Sequence, residues 1–159
     1  MSVTESEFRD ALSRFASGVS VVTTRDASGR SHGITVSAFC SVSLDPPLVL
    51  ICIEKATASH YAFHESSAFI VNVLDAMQQD MSEQFAAPAA DKFADQEFDS
   101  GIEGIPRLKA ALASIECRIL NAHDGGDHTI FVGAVESVRT REGDPLIYFH
   151  HEYGTSARF

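Results

Sequence analysis

The sequence predicts a mainly β protein, a small closed or partly closed antiparallel barrel with short helices inserted. About seven segments rich in β-branched and apolar residues follow one another along the chain, and turn sequences such as DASGR and DGGD join most of them as hairpins. The chain has 159 residues, 45% of them hydrophobic, which is enough for one substantial core but not for two. We therefore expect a single domain over residues 1–159.

Composition and charge exclude several classes of function. The net charge of −10 opposes non-specific binding to nucleic acid, whose phosphates need clustered Lys and Arg. The longest apolar runs, 48–53 and 68–71, are far shorter than the roughly 20 residues that cross a bilayer. The N-terminus lacks a secretory signal, and Cys40, Cys52 and Cys117 form no CxxC pair. We expect a cytoplasmic protein without a disulfide framework, a metal, a nucleic-acid partner or a membrane anchor.

The first predicted element is an amphipathic helix over residues 5–17. Thr4 and Glu7 have the TxxE spacing of a capping box, in which each side chain satisfies a backbone N–H group of the first turn. Phenylalanine and leucine side chains then recur at helical spacing before Gly18. This spacing predicts that one face of the helix is apolar.

The next elements are predicted to be strands. Residues 19–25 and 32–44 are rich in β-branched residues and flank the turn DASGR, which predicts a hairpin. The continuous apolar run 48–54 predicts a strand that is buried on both faces. A short helical piece that Thr57 could cap follows, and residues 68–74 predict a further strand.

The second half contains a helix, a long loop and three predicted strands. Residues 77–86 predict a helix with a Met and Phe stripe at four-residue spacing, which is more typical of a core than of a cofactor contact. Residues 87–106 carry little periodicity, and loops of that length are usually functional or mobile. Two long strands, 111–123 and 128–140, are predicted to form a hairpin about DGGD. Residues 145–153 predict a last short strand.

Common nucleotide-binding and hydrolase motifs are absent. The sequence has no GxGxxG after a strand, no GxxxxGK[ST] and no GxSxG. The sequence therefore argues against a Rossmann site and a P-loop site, and nothing in it indicates an α/β-hydrolase.

The segment 33–43, GITVSAFCSVS, alternates small hydroxyl residues with apolar ones. Two interpretations remain open. The hydroxyls could form the polar outer face of a half-buried strand. They could instead line a pocket in which backbone N–H groups and short hydroxyls bind a flat heterocycle and its phosphate.

Four blocks of the sequence resemble successive blocks of the flavin reductase family. These blocks are GVSVVTTRDASGRSHGITVSAFCSVSLDPPLVLICI, FIVNVL, SEQFAAPAADKF and GDHTIFVGAVESV. They occur in the family's order, and the resemblance extends from about Phe8 to Tyr153. It implies an FMN-binding split barrel, an antiparallel Greek-key β-barrel with short flanking helices, that forms a homodimer.

The resemblance also implies an activity. Proteins of this family reduce FMN or FAD with NADH or NADPH and supply the reduced flavin to a flavin-dependent monooxygenase. Two alternatives remain open: another split-barrel flavoenzyme, with tightly bound FMN acting on a different small substrate, and a non-catalytic flavin-binding protein.

The residues expected to bind the flavin follow from the same resemblance. The isoalloxazine ring and ribityl chain would be flanked by Thr35, Val36, Ser37 and Ala38, with Ser41 beside them. The ribityl and phosphate groups would be held by Cys52, Ile53, Glu54, Lys55 and Ser59. The loop that closes over the phosphate side would contain Phe85, Ala86, Lys92 and Phe93. Lys92 stands where the family often has Arg, and lysine lacks the bidentate phosphate geometry of arginine.

His128 is the expected catalytic residue, because it completes the GDH triplet that in this family lies at the flavin and nicotinamide site. An imidazole there could hydrogen-bond the nicotinamide amide or relay a proton near the flavin N5. From the residues alone, His128 is more typical of an exposed histidine in the turn after a glycine hairpin. Tyr148 and Tyr153 are similar to the family's aromatic C-terminal strand near the active site, and core packing explains them as well.

Two histidine pairs are candidates for metal binding. His60 and His64 have helical spacing compatible with one ion, but no third ligand stands at a matching position. His150 and His151 are adjacent and would point to opposite sides of a strand. We expect no metal site.

Overall fold

The computed structural model describes residues 3–88, 91–94 and 97–156, which form three short α-helices, one 3-10 turn (Ile102–Gly104) and twelve strands. The helices are α1 (Glu5–Ser13), α2 (His60–Glu65) and α3 (Gln79–Ala86). The strands are β1 (Ser17–Gly18), β2 (Ser20–Arg25), β3 (Ser31–Val36), β4 (Phe39–Leu44), β5 (Pro47–Glu54), β6 (Ala68–Val73), β7 (Phe98–Ser100), β8 (Pro106–Leu108), β9 (Ala113–Gly125), β10 (His128–Thr140), β11 (Leu146–Phe149) and β12 (Glu152–Thr155). Among the described residues, no helix is long and apolar enough to cross a membrane.

Seven strands form one antiparallel sheet in the order β3-β2-β6-β9-β10-β5-β4. The two edge strands, β3 and β4, are consecutive in the chain and only Ser37 and Ala38 separate them. Since two residues cannot span a flat seven-stranded sheet, the sheet curls until its edges meet at this point. The backbone N–H of Cys52 on β5 donates to Ala38 O at 3.1 Å, which extends the β4–β5 pairing into the junction. The predicted mainly β split barrel is confirmed.

The interior of the barrel holds a core of aromatic and β-branched side chains. Its members include Phe63, Phe69, Phe131, Val22, Ile51, Ile53 and Val71, all essentially inaccessible to solvent. A second cluster lies outside the barrel, where Met81 and Phe85 of α3 pack beside Tyr148 and Tyr153 of the β11–β12 hairpin. The stripe predicted on α3 is therefore part of the core, except that Met77, before the helix, is exposed.

Several elements of the first half differ from their predicted form. The predicted helix 5–17 ends at Ser13, because Ser17 pairs with Tyr148 in a small second sheet, although its capping box is present. The predicted strand 32–44 is two strands with different partners. The strand predicted to be buried on both faces, β5, buries one face fully and the other only partly, because it is covered only on the barrel side. The helix cap predicted at Thr57 is wrong: Thr57 Oγ1 donates to Glu54 O at 2.9 Å, and α2 begins at His60.

The C-terminal segment is a hairpin rather than one strand. His150 and His151 form its turn, with φ angles of 50° and 66°. Tight hairpin turns need positive φ at both central residues, and Asn and Gly usually occupy these positions. The His-His pair carried no such signal, so the prediction that these side chains lie on opposite sides of a strand was wrong. The predicted loop 87–106 also contains β7, the 3-10 turn and the start of β8.

Gly133 on β10 is required where that strand crosses the core. A Cβ atom at this position would lie 2.6 Å from Phe69 Cζ and 2.8 Å from Cys117 Cβ, two fully buried side chains. We expect Gly133→Ala to lower the free energy of unfolding by about 1–3 kcal/mol, the usual cost of overpacking a core. Urea denaturation measures this. Gly18→Ala is the control, since no atom lies within 4 Å of its Cβ position; equal midpoints for the two variants would contradict the expectation.

Candidate active site

Most of the residues expected to bind flavin lie at one end of the main sheet. Cys52 pairs with Ile130 of β10 and is hydrogen-bonded to Ala38. Glu54, two residues further along β5, pairs with His128. Because two residues of a strand span about 7 Å, these groups share one end of the barrel. We call Thr35–Ala38, Cys52–Lys55 and His128 the strand-end cluster.

Lys55 joins β5 to the tip of the β9–β10 hairpin. Its Nζ donates to the Asp124 carboxylate and to Gly126 O (2.6 Å), and its backbone N–H donates to Asp127 O at 2.9 Å. The hydrogen bond from Lys55 and its positive charge lower the pKa of Asp124. Lys55 therefore holds the hairpin that carries His128.

His128 begins β10 and is oriented by its neighbour. Its Nδ1 lies 2.7 Å from Asp127 Oδ1, and this hydrogen bond is the main cause of the lowered pKa of Asp127. An ionised carboxylate only accepts hydrogen bonds, so Nδ1 carries the proton. The side chain is 41% exposed, and Nε2 has no partner among the described residues. The imidazole thus offers Nε2 to a ligand.

A groove of about 1150 Å³ lies beside the strand-end cluster. It is bounded by the start of β3, the β5–α2 connection with the first turn of α2, and the chain after α3. Its lining is Arg30, Ser31, His32, Gly33, Ile34, Ala56, Thr57, Ala58, Ser59, Tyr61, Ala86, Pro88, Asp91, Lys92, Phe93, Phe98 and Pro106. The groove adjoins the strand-end cluster at two points in the chain: the lining residue Ile34 precedes Thr35, and the lining residue Ala56 follows Lys55.

Four of the expected flavin-binding residues line this groove: Ser59, Ala86, Lys92 and Phe93. Lys92 is half-buried, and its Nζ donates to Phe85 O at 2.8 Å. Burial lowers the pKa of Lys92. Its ammonium is therefore held at the groove wall by the backbone of α3.

The structure does not bring all the expected residues to the groove or to the strand ends. Phe85 is fully buried beneath Gly33, where a Cβ would lie 2.5 Å from the Phe85 ring. Ile53 is in the barrel core, so only its backbone is available at the strand ends. Ser41 lies opposite Val49, three residues from the β3–β4 junction.

The hydroxyls of segment 33–43 divide between the two interpretations. Thr35 Oγ1 donates to Ser82 O of α3 at 2.6 Å, so it serves the fold. Ser37 is exposed at the junction and Ser41 is exposed on β4. Only Ser37 therefore combines exposure with a place in the strand-end cluster.

The remaining candidates have structural partners. His60 Nε2 lies 2.9 Å from Thr129 Oγ1 and its ring packs against that of His64 at 4.8 Å, while burial lowers the His60 pKa. In the described part of the chain, no group of three potential metal-ligating side chains includes them. Tyr153 OH lies 2.9 Å from Ser82 Oγ, and its ring packs on Tyr148 at 5.2 Å, which accounts for both tyrosines by packing.

Sequence reasoning missed much of the groove wall. Arg30, His32, Tyr61 and Phe98 are brought together from three separate segments. No spacing motif connects them, since their proximity depends on how β3, α2 and β7 are arranged around the barrel. In the sequence, the turn DASGR indicates a hairpin and no ligand site.

Comparisons with known proteins agree with this architecture. Residues 12–157 match the family described as flavin reductase like domain. The chain is 43% identical over 151 residues to FMN reductase (NADH) SmoA of Agrobacterium fabrum, covering 95% of this chain and 86% of the relative. It is 38% identical over 150 residues to the reductase component of 4-nitrophenol 4-monooxygenase/4-nitrocatechol 2-monooxygenase of Rhodococcus opacus, covering 94% and 80%.

A solved structure with the same fold is the NADH:FAD oxidoreductase of Streptomyces globisporus in complex with NAD and FAD fragments. It superposes with a TM-score of 0.91 at 32% identity, covering 99% of this chain and 98% of that chain. With a match over nearly its whole length, this chain belongs to the flavin reductase like domain family.

Proposed function

We propose that this protein is an NAD(P)H:flavin oxidoreductase that reduces FMN or FAD and supplies the reduced flavin to a flavin-dependent monooxygenase. The observation that carries this is the pairing of His128 with Glu54, beside the β3–β4 junction and next to the groove. The groove would receive the phosphate-bearing part of the flavin, and the strand-end cluster the reacting ring.

The β3–β4 junction suits a flat heterocycle. Ser37 and Ala38 have small, exposed side chains, so a ring can approach the backbone closely. β3 and β4 are also the edges of the sheet, and edge strands carry backbone N–H and C=O groups that no neighbouring strand uses. These groups can hydrogen-bond the polar rim of the ring.

The chain's own residues bind and orient the reactants. A bound flavin supplies the ring that accepts hydride from the nicotinamide. Ser59 and Lys92 would hold its phosphate, and Ser37 with Ala38 would face the ring. His128 Nε2, with Asp127 fixing the tautomer, would hydrogen-bond the nicotinamide or relay a proton at the ring.

We further propose that residues 1–159 form one domain, that the protein is cytoplasmic and that it acts as a homodimer. Exposed apolar side chains support a second copy: Phe8, Leu12 and Phe15 on or just after α1, and Leu44, which is 95% exposed on β4. Apolar patches of this kind mark interfaces. Sedimentation velocity should therefore give twice the mass of one chain.

Steady-state kinetics test the proposed function. The purified protein is mixed with each of FMN and FAD and with excess NADH or NADPH, and nicotinamide absorbance is followed in air. Many turnovers per site are expected with at least one pair. Oxidation of nicotinamide limited to one equivalent of bound flavin would favour a flavoenzyme with another substrate. Flavin retention without any oxidation would favour a non-catalytic binding protein.

Ser37→Phe is expected to raise the dissociation constant of flavin by about tenfold or more, because a bulky ring would occupy the junction that the heterocycle approaches. Isothermal titration calorimetry measures the change. Ser137→Phe, on the exposed part of β10 towards its other end, is the matched control. An unchanged flavin affinity in Ser37→Phe would remove the junction from the site.

A further inference from the structure

The tip of the β9–β10 hairpin, residues 120–128, ends in His128 and projects beyond most of the sheet. β6 pairs with β9 from Ala113 to Arg118. Beyond Arg118, and within the described ranges, β5 is the one strand that pairs with the hairpin. All of residues 120–127 are exposed. Since none of these residues is anchored in a core, polar contacts determine where the turn before His128 lies.

Lys55 makes three of these polar contacts. Its Nζ donates to the Asp124 carboxylate and to Gly126 O, and its backbone N–H donates to Asp127 O. The acceptors belong to three of the four residues that precede His128. His128 itself pairs with the residue before Lys55. The end of β5 therefore determines the position of both the turn and the histidine.

The ammonium group of Lys55 is directed to the hairpin and not to the groove. An ammonium has three N–H donors, and the Asp124 carboxylate and Gly126 O take two of them. The four residues after Lys55, 56–59, line the groove, whereas Lys55 does not. The resemblance implies that Lys55 holds the ribityl chain and phosphate of a flavin. These contacts indicate a different use of the side chain.

The position of the turn matters because Asp127 orients the imidazole of His128. Asp127 Oδ1 lies 2.7 Å from His128 Nδ1, and the backbone oxygen of the same residue accepts from Lys55 N. Transfer between two bound reactants depends on alignment, and a displacement of about 1 Å can cost up to about 100-fold in rate. A turn released from Lys55 would move Nε2 of His128 relative to the reactants.

We propose that Lys55 is a positioning residue for hydride transfer, which places His128 by fixing the turn before it and is not a ligand of the flavin phosphate. The proposal rests on the flavin reductase function and adds a residue that acts through another. The Lys55 and Asp124 side chains are 40% and 79% exposed, and an exposed ion pair contributes little to stability. The effect of Lys55 is therefore on the geometry of the hairpin tip and not on folding.

Lys55→Met is expected to lower kcat/KM for the nicotinamide cofactor about tenfold, because it removes both side-chain contacts with the turn. Lys55→Arg keeps donors for the same acceptors and should retain most of the rate. Lys109→Met is the matched control, since Lys109 is also a half-exposed lysine beside a carboxylate, with Nζ 3.8 Å from Glu97 Oε2. It removes the same charge before β9 begins and should leave the rate unchanged. Equal rates in Lys55→Met and Lys109→Met would overturn the proposal.

Titration calorimetry with FMN and riboflavin distinguishes this role from a phosphate contact. The two ligands differ only in the phosphate, and both dissociation constants should be unchanged in Lys55→Met. A weaker affinity for FMN, with riboflavin unaffected, would assign Lys55 to the phosphate and overturn the proposal. An equal loss of affinity for both ligands would place Lys55 at the flavin ring and would overturn it as well.

Double variants test whether Lys55 acts through His128. In a His128→Ala background, Lys55→Met should cause no further loss of rate, because the imidazole that it positions is absent. Asp124→Asn should lower the rate in the same direction as Lys55→Met, and combining the two should add little. A further loss of about tenfold in the His128→Ala background would show that Lys55 acts independently.

Long-range proton–nitrogen NMR spectra of the imidazoles follow the position of His128 without turnover. The His128 signals, assigned by their absence in His128→Ala, should shift in Lys55→Met, return in Lys55→Arg and stay in place in Lys109→Met. Unaltered His128 signals in Lys55→Met would overturn the proposal. Absence of turnover in the unmodified protein would instead refute the reductase function, and the spectra would still show whether Lys55 positions His128.

Discussion

His128→Ala is expected to lower kcat/KM for the nicotinamide cofactor by about 100-fold, the lower end of the range for a positioned acid–base group. The imidazole is fixed by Asp127 through Nδ1 and leaves Nε2 for the reactants, so its removal affects hydride transfer more than flavin binding. Stopped-flow measurement of flavin reduction gives the rate, and titration calorimetry gives flavin affinity.

His123→Ala is the matched control for this variant. His123 lies on the same hairpin, opposite Ile130, and is exposed. It should retain the rate of the unmodified protein. If His128→Ala weakened flavin binding and slowed reduction by the same factor, His128 would be a structural residue of the hairpin tip. An unchanged rate would support a non-catalytic turn histidine.

Phe131→Ala is expected to lower the free energy of unfolding by about 3–5 kcal/mol, the cost of removing a large aromatic side chain from a packed core. Phe131 is fully buried on β10, with its ring centroid 5.7 Å from that of Phe63 and 5.0 Å from that of His64. It thereby supports α2, whose first turn lines the groove. Guanidinium denaturation followed by circular dichroism measures the loss.

Val138→Ala on the same strand is the control, because it distinguishes the effect of lost burial on stability from the effect of lower strand propensity. Val138 is 60% exposed, so its truncation should change stability by no more than about 0.5 kcal/mol. A loss in Phe131→Ala no larger than in Val138→Ala would show that the barrel interior is not the main source of stability.

Local sequence signals were sufficient for the elements whose burial pattern and turn chemistry agree. The hairpin of β9 and β10 is the clearest case, because DGGD places Gly126 at a φ of 77° between two long alternating segments. The capping box of α1 is another, since its contacts involve residues only three apart. Both features depend on neighbours in the chain, so periodicity and spacing report them directly.

Local sequence signals did not predict the structure where pairing with a strand distant in the sequence determines the backbone conformation. Residues 32–44 read as one continuous strand because no Gly or Pro stands at Ser37 and Ala38. The chain nevertheless changes there from pairing with β2 to pairing with β5. The turn at His150 and His151 likewise adopts positive φ without Gly or Asn, in a hairpin whose first strand also pairs with β1.

The residues of the candidate site likewise divide into those that the sequence indicated and those that only the structure brought together. Motif resemblance indicated Ser37, Cys52, Lys92 and His128, which lie in the quoted blocks, and Lys55, which lies two residues after the first block. It assigned no role to Arg30 and His32, although both lie in the first block, or to Tyr61, which lies outside the four blocks.

By itself, the sequence determined a mainly β chain, its strongest hairpin, its acidic charge and the blocks that resemble a flavin reductase. Only the tertiary structure decided that β3 and β4 are opposite edges brought together, that Lys55 bonds to the β9–β10 hairpin and that Asp26, His32 and Tyr61 form one cluster. The physical reason is that the spacing of apolar residues reflects which side chains are buried, and the residue types in a turn reflect its φ and ψ angles. Register between distant strands depends instead on how the whole set of apolar faces closes around one core.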